Sequence, residues 1–160
     1  MYTCSICAFN VLLTTKFNIM AKTSKSAQLA YKFQYAAKFI CTSNIPGTSL
    51  TSEAVLPGVY QTAVNIHNPN NIKIKMRKKL AASIGISKYF DSALGADAVE
   101  SVTCAQVNNF GLQLVHGFEG FLVIESTHSL DVIAVYTAGG HKEQVSSIDV
   151  ETVKERKLLL

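Results

Sequence analysis

The sequence is short of charge, short of proline and free of tryptophan. Charged residues make up 16% of the 160 residues, where an average soluble domain carries about 25%. With 48% of the chain hydrophobic, that balance excludes a polar disordered polypeptide. No run of about 20 apolar residues occurs, so no segment reads as a membrane-spanning helix. No apolar pattern repeats every 3.6 residues over the length of a helix, which disfavours a βαβ plan. G-x-S-x-G, the P-loop and G-x-G-x-x-G are all missing, so none of the glycine-rich turns that position a nucleophile or cradle a nucleotide is present. A chain of this length reads as one domain with tails.

Acids are missing from one end of the chain. Residues 1–52 hold Lys16, Lys22, Lys25, Lys32 and Lys38 without a single Asp or Glu, so the formal net charge of +4 originates there. Phosphate recognition needs basic side chains gathered on one folded face, whereas most of this excess falls on a stretch with neither strand nor helix periodicity. Met1 to Thr15 is uncharged, with no basic n-region and no small-x-small cleavage pattern. Met20, followed by Ala-Lys-Thr-Ser-Lys, is an alternative start. We therefore expect residues 1–30 to form an N-terminal tail, 31–155 a single domain and 156–160 a C-terminal tail. The cytoplasm is the favoured compartment, and export stays open.

From Phe33 onward the pattern is period 2. Phe33–Cys41 reads as a first strand, and a long connection through Asn44-Ile-Pro-Gly47 leads to Pro57-Gly58. Val59–His67 alternates cleanly, with Thr62, Val64 and Ile66 on one face and Gln61, Ala63, Asn65 and His67 on the other. Asn68-Pro-Asn-Asn71 is a turn by composition. Beyond it Ile72, Ile74 and Met76 are expected inward, and Lys73, Lys75 and Arg77 outward. Leu80–Ala96 reads as a loop, Ala98–Cys104 as a strand, and Ala105–Gly117 as a place for a short helix. Phe118–Ser126 and Leu130–Ala138 are the most apolar strands, and their spacing predicts an antiparallel hairpin with Val123, Ile133 and Val135 in the core. Ser146–Val153 is a last strand. About seven strands with turns between them predict an all-β fold, a two-sheet antiparallel β-sandwich of immunoglobulin-like type.

The residues able to carry chemistry are few and scattered. His67, His116, His128 and His141 all sit at loops, and no pair has the i, i+2 or i, i+4 spacing that offers two imidazoles to one ion, so no metal and no cofactor are expected. Cys4-Ser-Ile-Cys7 lacks the second ligand pair of a zinc site and the strand and helix of a redox site. Cys41 and Cys104 read either as buried thiols or as a disulfide, which requires an oxidising compartment. Glu125 and Asp131 flank one short connection and, with His67, form a candidate polar site. Lys73, Lys75, Arg77 and Lys79 project from one strand face at period 2 as a candidate anion-binding row. No aromatic interleaves with them from 70 to 80, and strand lysines commonly protect an edge.

Several stretches carry a family resemblance. Tyr35–Cys41, Pro57–Pro69 with its Asn-x-His-Asn-Pro turn, Gly120–Ser126, Leu130–Ala138 and Ser147–Glu151 resemble an uncharacterised prokaryotic family of small β-sandwich proteins, over residues 33–153. The resemblance implies the sandwich fold and carries no activity with it. Where such chains end in a Pro-Pro-Arg-like sequence, this one has Lys154-Glu-Arg-Lys157. The Val-Ile-Glu-Ser strand also has an architectural likeness to sensory rhodopsin transducers. The expectation is a non-enzymatic binding or structural module with a protein partner or a second copy of itself, and nucleic acid is disfavoured. The alternatives are a weak anion or nucleic-acid binder through residues 73–79 and an enzyme with a dispersed site.

Overall fold

The computed structural model describes residues 31–42, 58–83, 85–112, 117–139 and 145–159. The expected N-terminal tail, Met20, the Cys4/Cys7 pair, the Asn44–Gly47 loop, His116 and His141 lie outside the described residues. Among the described residues ten strands form: β1 (Phe33–Thr42), β2 (Val59–His67), β3 (Ile74–Ala82), β4 (Gly85–Ile86), β5 (Phe90–Leu94), β6 (Val99–Thr103), β7 (Gly117–Ser126), β8 (Asp131–Gly139), β9 (Val145–Thr152) and β10 (Arg156–Lys157). They build two antiparallel sheets packed face to face, as the alternation predicts. The first has the order β10-β1-β7-β3-β4 with β5 also on β3, and the second the order β6-β2-β8-β9. No helix among the described residues is long and apolar enough to cross a membrane.

The core is the layer between the sheets. Tyr35, Ala37 and Phe39 of β1, Leu122 and Ile124 of β7 and Ile74, Met76 and Leu80 of β3 meet Val64 and Ile66 of β2, Val102 of β6, and Val132 and Ala134 of β8. Each alternates with outward neighbours, because successive strand side chains point to opposite faces. Gly120 is required in β7, since a Cβ there would stand 2.4 Å from the carbonyl oxygen of Ala81 on the neighbouring strand. A 3₁₀ helix over Cys104–Phe110 follows β6, where the sequence allowed a short helix. Gly111 at φ 73° ends it, in the left-handed region that glycine enters without strain.

Five expectations are corrected. Phe118–Ser126 and Leu130–Ala138 do not form a hairpin: β7 pairs with β1 and β3, whereas β8 pairs with β2 and β9. Both edges of β7 are occupied, so the chain after it must cross to the other sheet. The crossing is pinned where Thr127 N donates to Lys75 O at 3.1 Å and Leu130 N to the Tyr35 hydroxyl at 2.8 Å. For the same reason Val123, Ile133 and Val135 face outward. In β8 the inward positions are Val132, 1% exposed, and Ala134, 0%, while Ile133 is 39% exposed. The expected loop at 80–96 contains β4 and β5, which pair with β3, and Ile72, before β3 begins, is exposed. The C-terminal boundary also moves, because Arg156 and Lys157 form β10 against Gln34 and Phe33. That return is held by Tyr35, whose hydroxyl donates to Glu155 at 2.6 Å. Burial first, and the Glu155 carboxylate second, push the Tyr35 phenol up to about 12.

Candidate functional site

Four groupings of polar residues bear on function, and the register decides each. In the second sheet His67 at the end of β2 stands opposite Asp131 at the start of β8. Its Nδ1 lies 2.9 Å from Asp131 and its Nε2 3.0 Å from Asp97. A neutral imidazole has a single N–H, so both contacts are hydrogen bonds only when the ring is protonated. The Asp97 carboxylate first, then Asp131, holds the His67 pKa above its ordinary value. Asp97 was missed in the sequence. It lies in the β5–β6 turn at φ 51°, a left-handed conformation that Asp adopts more readily than most residues. The turn is nailed down by Asn68 of the Asn-x-His-Asn-Pro motif, which is fully buried. Its amide donates to Ile72 O at 2.8 Å and Gly95 O at 2.6 Å.

Glu125 does not join His67 and Asp131. It lies in β7 on the outer face of the first sheet, in a row that runs Gln34, Glu125, Arg77, Asp91 across four strands. Arg77 Nε and Nη2 donate to one carboxylate oxygen at 2.7 and 2.6 Å, while the Tyr89 hydroxyl at 2.8 Å and the Gln34 amide at 3.2 Å donate to the other. Burial pushes the Glu125 carboxyl up, but the Tyr89, Arg77 and Gln34 donors outweigh it and hold the pKa below the usual carboxylate range. The Arg77 guanidinium lies between the rings of Tyr31 and Tyr89, at 4.4 and 4.0 Å, a cation–π arrangement.

That grouping changes the meaning of the basic row. Lys75, Arg77 and Lys79 do project from the outer face of β3, and Lys73 is exposed just before the strand. However, β3 is interior to its sheet, with β7 on one side and β4 and β5 on the other, so the lysines do not guard an edge. Arg77 is held by Glu125, and Lys79 Nζ sits 4.6 Å from the Tyr89 ring centre. On the same face Lys38 pairs with Glu119 at 2.9 Å. The aromatics missing from residues 70–80 are brought in as Tyr31 and Tyr89 from elsewhere in the chain.

The alternation that sends Arg77 outward sends Lys78 inward. Between Met76 and Leu80, Lys78 is 2% exposed and forms an ion pair with Glu100 of β6, across the gap between the sheets. Its position in Ile74-x-Met76-x-Lys78-x-Leu80 is the signal that finds it. A disulfide joins Cys41 of β1 to Cys104 just past β6, with Cα atoms 5.6 Å apart. Beside it the Thr62 hydroxyl donates to Ile40 O at 2.9 Å and accepts the Ile40 N–H at 3.0 Å, so β1 is tied to β2 by one side chain.

The outer face of the second sheet is different in kind. Away from the His67 end, its outward positions are Ser101 and Thr103 of β6, Gln61, Ala63 and Asn65 of β2, Ile133, Val135 and Thr137 of β8, and Ile148, Val150 and Thr152 of β9. None is charged. Ile148 and Val150 are 64% and 61% exposed. The acids of β9 point the other way, and Glu151 accepts the Tyr136 hydroxyl at 2.7 Å.

As for enclosed space, a depression of about 80 Å³ is lined by Ile40, Tyr60, Thr62, Tyr136 and Ser147 among others, well below the roughly 300–1,000 Å³ of small-molecule sites. No group of three or more His, Cys, Asp or Glu among the described residues is arranged to hold a metal ion. No family model, curated protein or solved structure matches this chain.

Proposed function

We propose that this chain is a non-enzymatic β-sandwich binding module that recognises a protein partner through the outer face of its second sheet. The observation that carries the reading is a four-stranded face whose outward positions, away from the His67–Asp131 end, are uncharged, with Ile148 and Val150 more than half exposed. Water-exposed apolar groups gathered on one surface mark interaction sites. An anion-binding role for Lys73, Lys75, Arg77 and Lys79 has less support, because Glu125 and Asp91 share the Arg77 row. A dispersed enzyme site has less as well, with Glu125 on one sheet and His67 and Asp131 on the other.

The reading includes the immunoglobulin-like type, supported by a disulfide from β1 of one sheet to the residue just past β6 of the other, close to the inter-sheet bridge of that fold, and membership of the prokaryotic family that the sequence resembles. It also moves the compartment from the cytoplasm to an oxidising one, because disulfides seldom persist among cytosolic thiols. The test is partner retention from an extract of the source cells by the immobilised full chain. Wild type and Lys79→Glu, altered on the first sheet, should retain the same partner, and Val135→Lys should lose it. Equal retention by Val135→Lys overturns the reading.

A further inference from the structure

We infer that the uncharged face of the second sheet is a self-association surface, occupied by the same face of a second copy of this chain about a two-fold axis. The inference rests on the reading of that face as a binding surface and names its partner.

Among the described residues, the two outer sheet faces and the edge of β9 are surfaces that could meet their own image, and charge separates them. The outer face of the first sheet, turned on itself, brings the Lys75 and Lys79 side of β3 against the same lysines, and like charges brought together in a drying interface are repelled. The free edge of β9 is the second candidate. Two β9 strands paired antiparallel about Val150 would set Asp149 of one copy directly against Glu151 of the other, a destabilising cross-strand pair. Asp149 also accepts the Val150 N–H of its own strand at 2.9 Å, which occupies one edge donor. The outer face of the second sheet meets its image without either cost. Its centre is the row Ala63, Val135, Val150 across β2, β8 and β9, flanked by the exposed side chains of Ile133 and Ile148.

Geometry supplies the scale. Four strands spaced about 4.8 Å apart and roughly seven residues long at about 3.3 Å per residue cover a plane of about 19 by 23 Å. That is a little over 400 Å² per copy in projection, and accessible area exceeds projection on a pleated surface. A standard interface takes about 800 Å² per partner, so this face falls below that size, in the class of weak, reversible association. Sheets stack at about 10 Å with interdigitating side chains, and the short Val, Ala and Thr side chains of this face allow that approach.

The test is sedimentation velocity on the full chain from about 1 to about 200 µM, a range in which weak, reversible association is read. The weight-average sedimentation coefficient should climb from monomer toward dimer and should not fall when salt is raised, since apolar contacts are not screened. Val135→Lys should stay monomeric throughout, and so should Ile148→Lys, placed on an exposed strand where folding is spared. Lys79→Glu should dimerise as wild type does. A monomer at every concentration overturns the inference, as does a dimer that survives both lysine variants or dissolves in salt. The retention experiment separates the two readings: a monomeric chain that loses its partner on Val135→Lys keeps the binding module and sinks self-association, and in that case a different protein occupies the face. A dimer abolished by Val135→Lys, with partner retention untouched, does the reverse.

Discussion

The two outer faces of this sandwich are built from strands of similar alternation and have opposite chemistry. On the first sheet Gln34, Glu125, Arg77 and Asp91 form a row under Tyr31 and Tyr89, and Lys38 pairs with Glu119. Charge is abundant there and largely satisfied within the face. On the second sheet the corresponding positions are Ser, Thr, Asn, Gln, Ala, Val and Ile, and charge is confined to the His67 end. A charged face that answers its own charges has no need of a partner, whereas a neutral one with exposed Ile and Val gains from burial. That difference is what supports placing the proposed binding surface on the second sheet.

The comparison presupposes that the sheets are clamped together, and the largest effect should come from releasing the clamp. Cys41→Ser with Cys104→Ser opens a link that spans 63 residues, and the loop entropy returned to the unfolded chain should lower stability by about 4 kcal/mol in urea unfolding. Reductant should do the same to the wild type and nothing to the double variant.

The contrast between the faces is sharpened by one substitution on each. Glu125→Ala leaves Arg77, Tyr89 and Gln34 without their common acceptor and should cost about 2–3 kcal/mol. Val135→Ala, outward on the neutral face, should cost less than about 1 kcal/mol. Equal costs in denaturant would erase the distinction between a self-satisfied face and an unpartnered one.

A smaller effect belongs to the one charged corner of the neutral sheet. The folded pKa of His67 is raised by Asp97 and Asp131, so its contribution is complete below the unfolded value near 6.5 and is lost as pH rises through the folded pKa. Melting temperatures measured from about pH 6 to about pH 9 should fall more in the wild type than in His67→Gln. A constant gap between the two across that range would show that the imidazolium contributes nothing. The smallest effect is expected where charge is in excess on the first sheet: Lys75→Gln with Lys79→Gln should stay within about 0.5 kcal/mol of wild type.

Much of the fold was legible because alternation is a local property. Thr62, Val64 and Ile66 alternate with Gln61, Ala63 and Asn65, and β2 buries the first set. Ile74 and Met76 likewise point inward. What failed was pairing. Val123, Ile133 and Val135 were expected in the core because their strands were expected to pair with each other, and those strands belong to different sheets. The candidate site divided along the same line. His67 and Asp131 meet because β2 and β8 are neighbours, Asp97 joins them from a distant turn, and Glu125 leaves them because β7 lies between β1 and β3.

By itself the sequence determined that this chain is all β, where most of its strands run, and which residues share a face within each strand, since period 2 and turn composition act over a few residues. Only the tertiary structure decided which face is inside when both are apolar, as in Val132-Ile-Ala-Val135, and which charges meet. Those outcomes depend on strand neighbours tens of residues away in sequence. Burial is a property of the packed pair of sheets, and no single strand carries it.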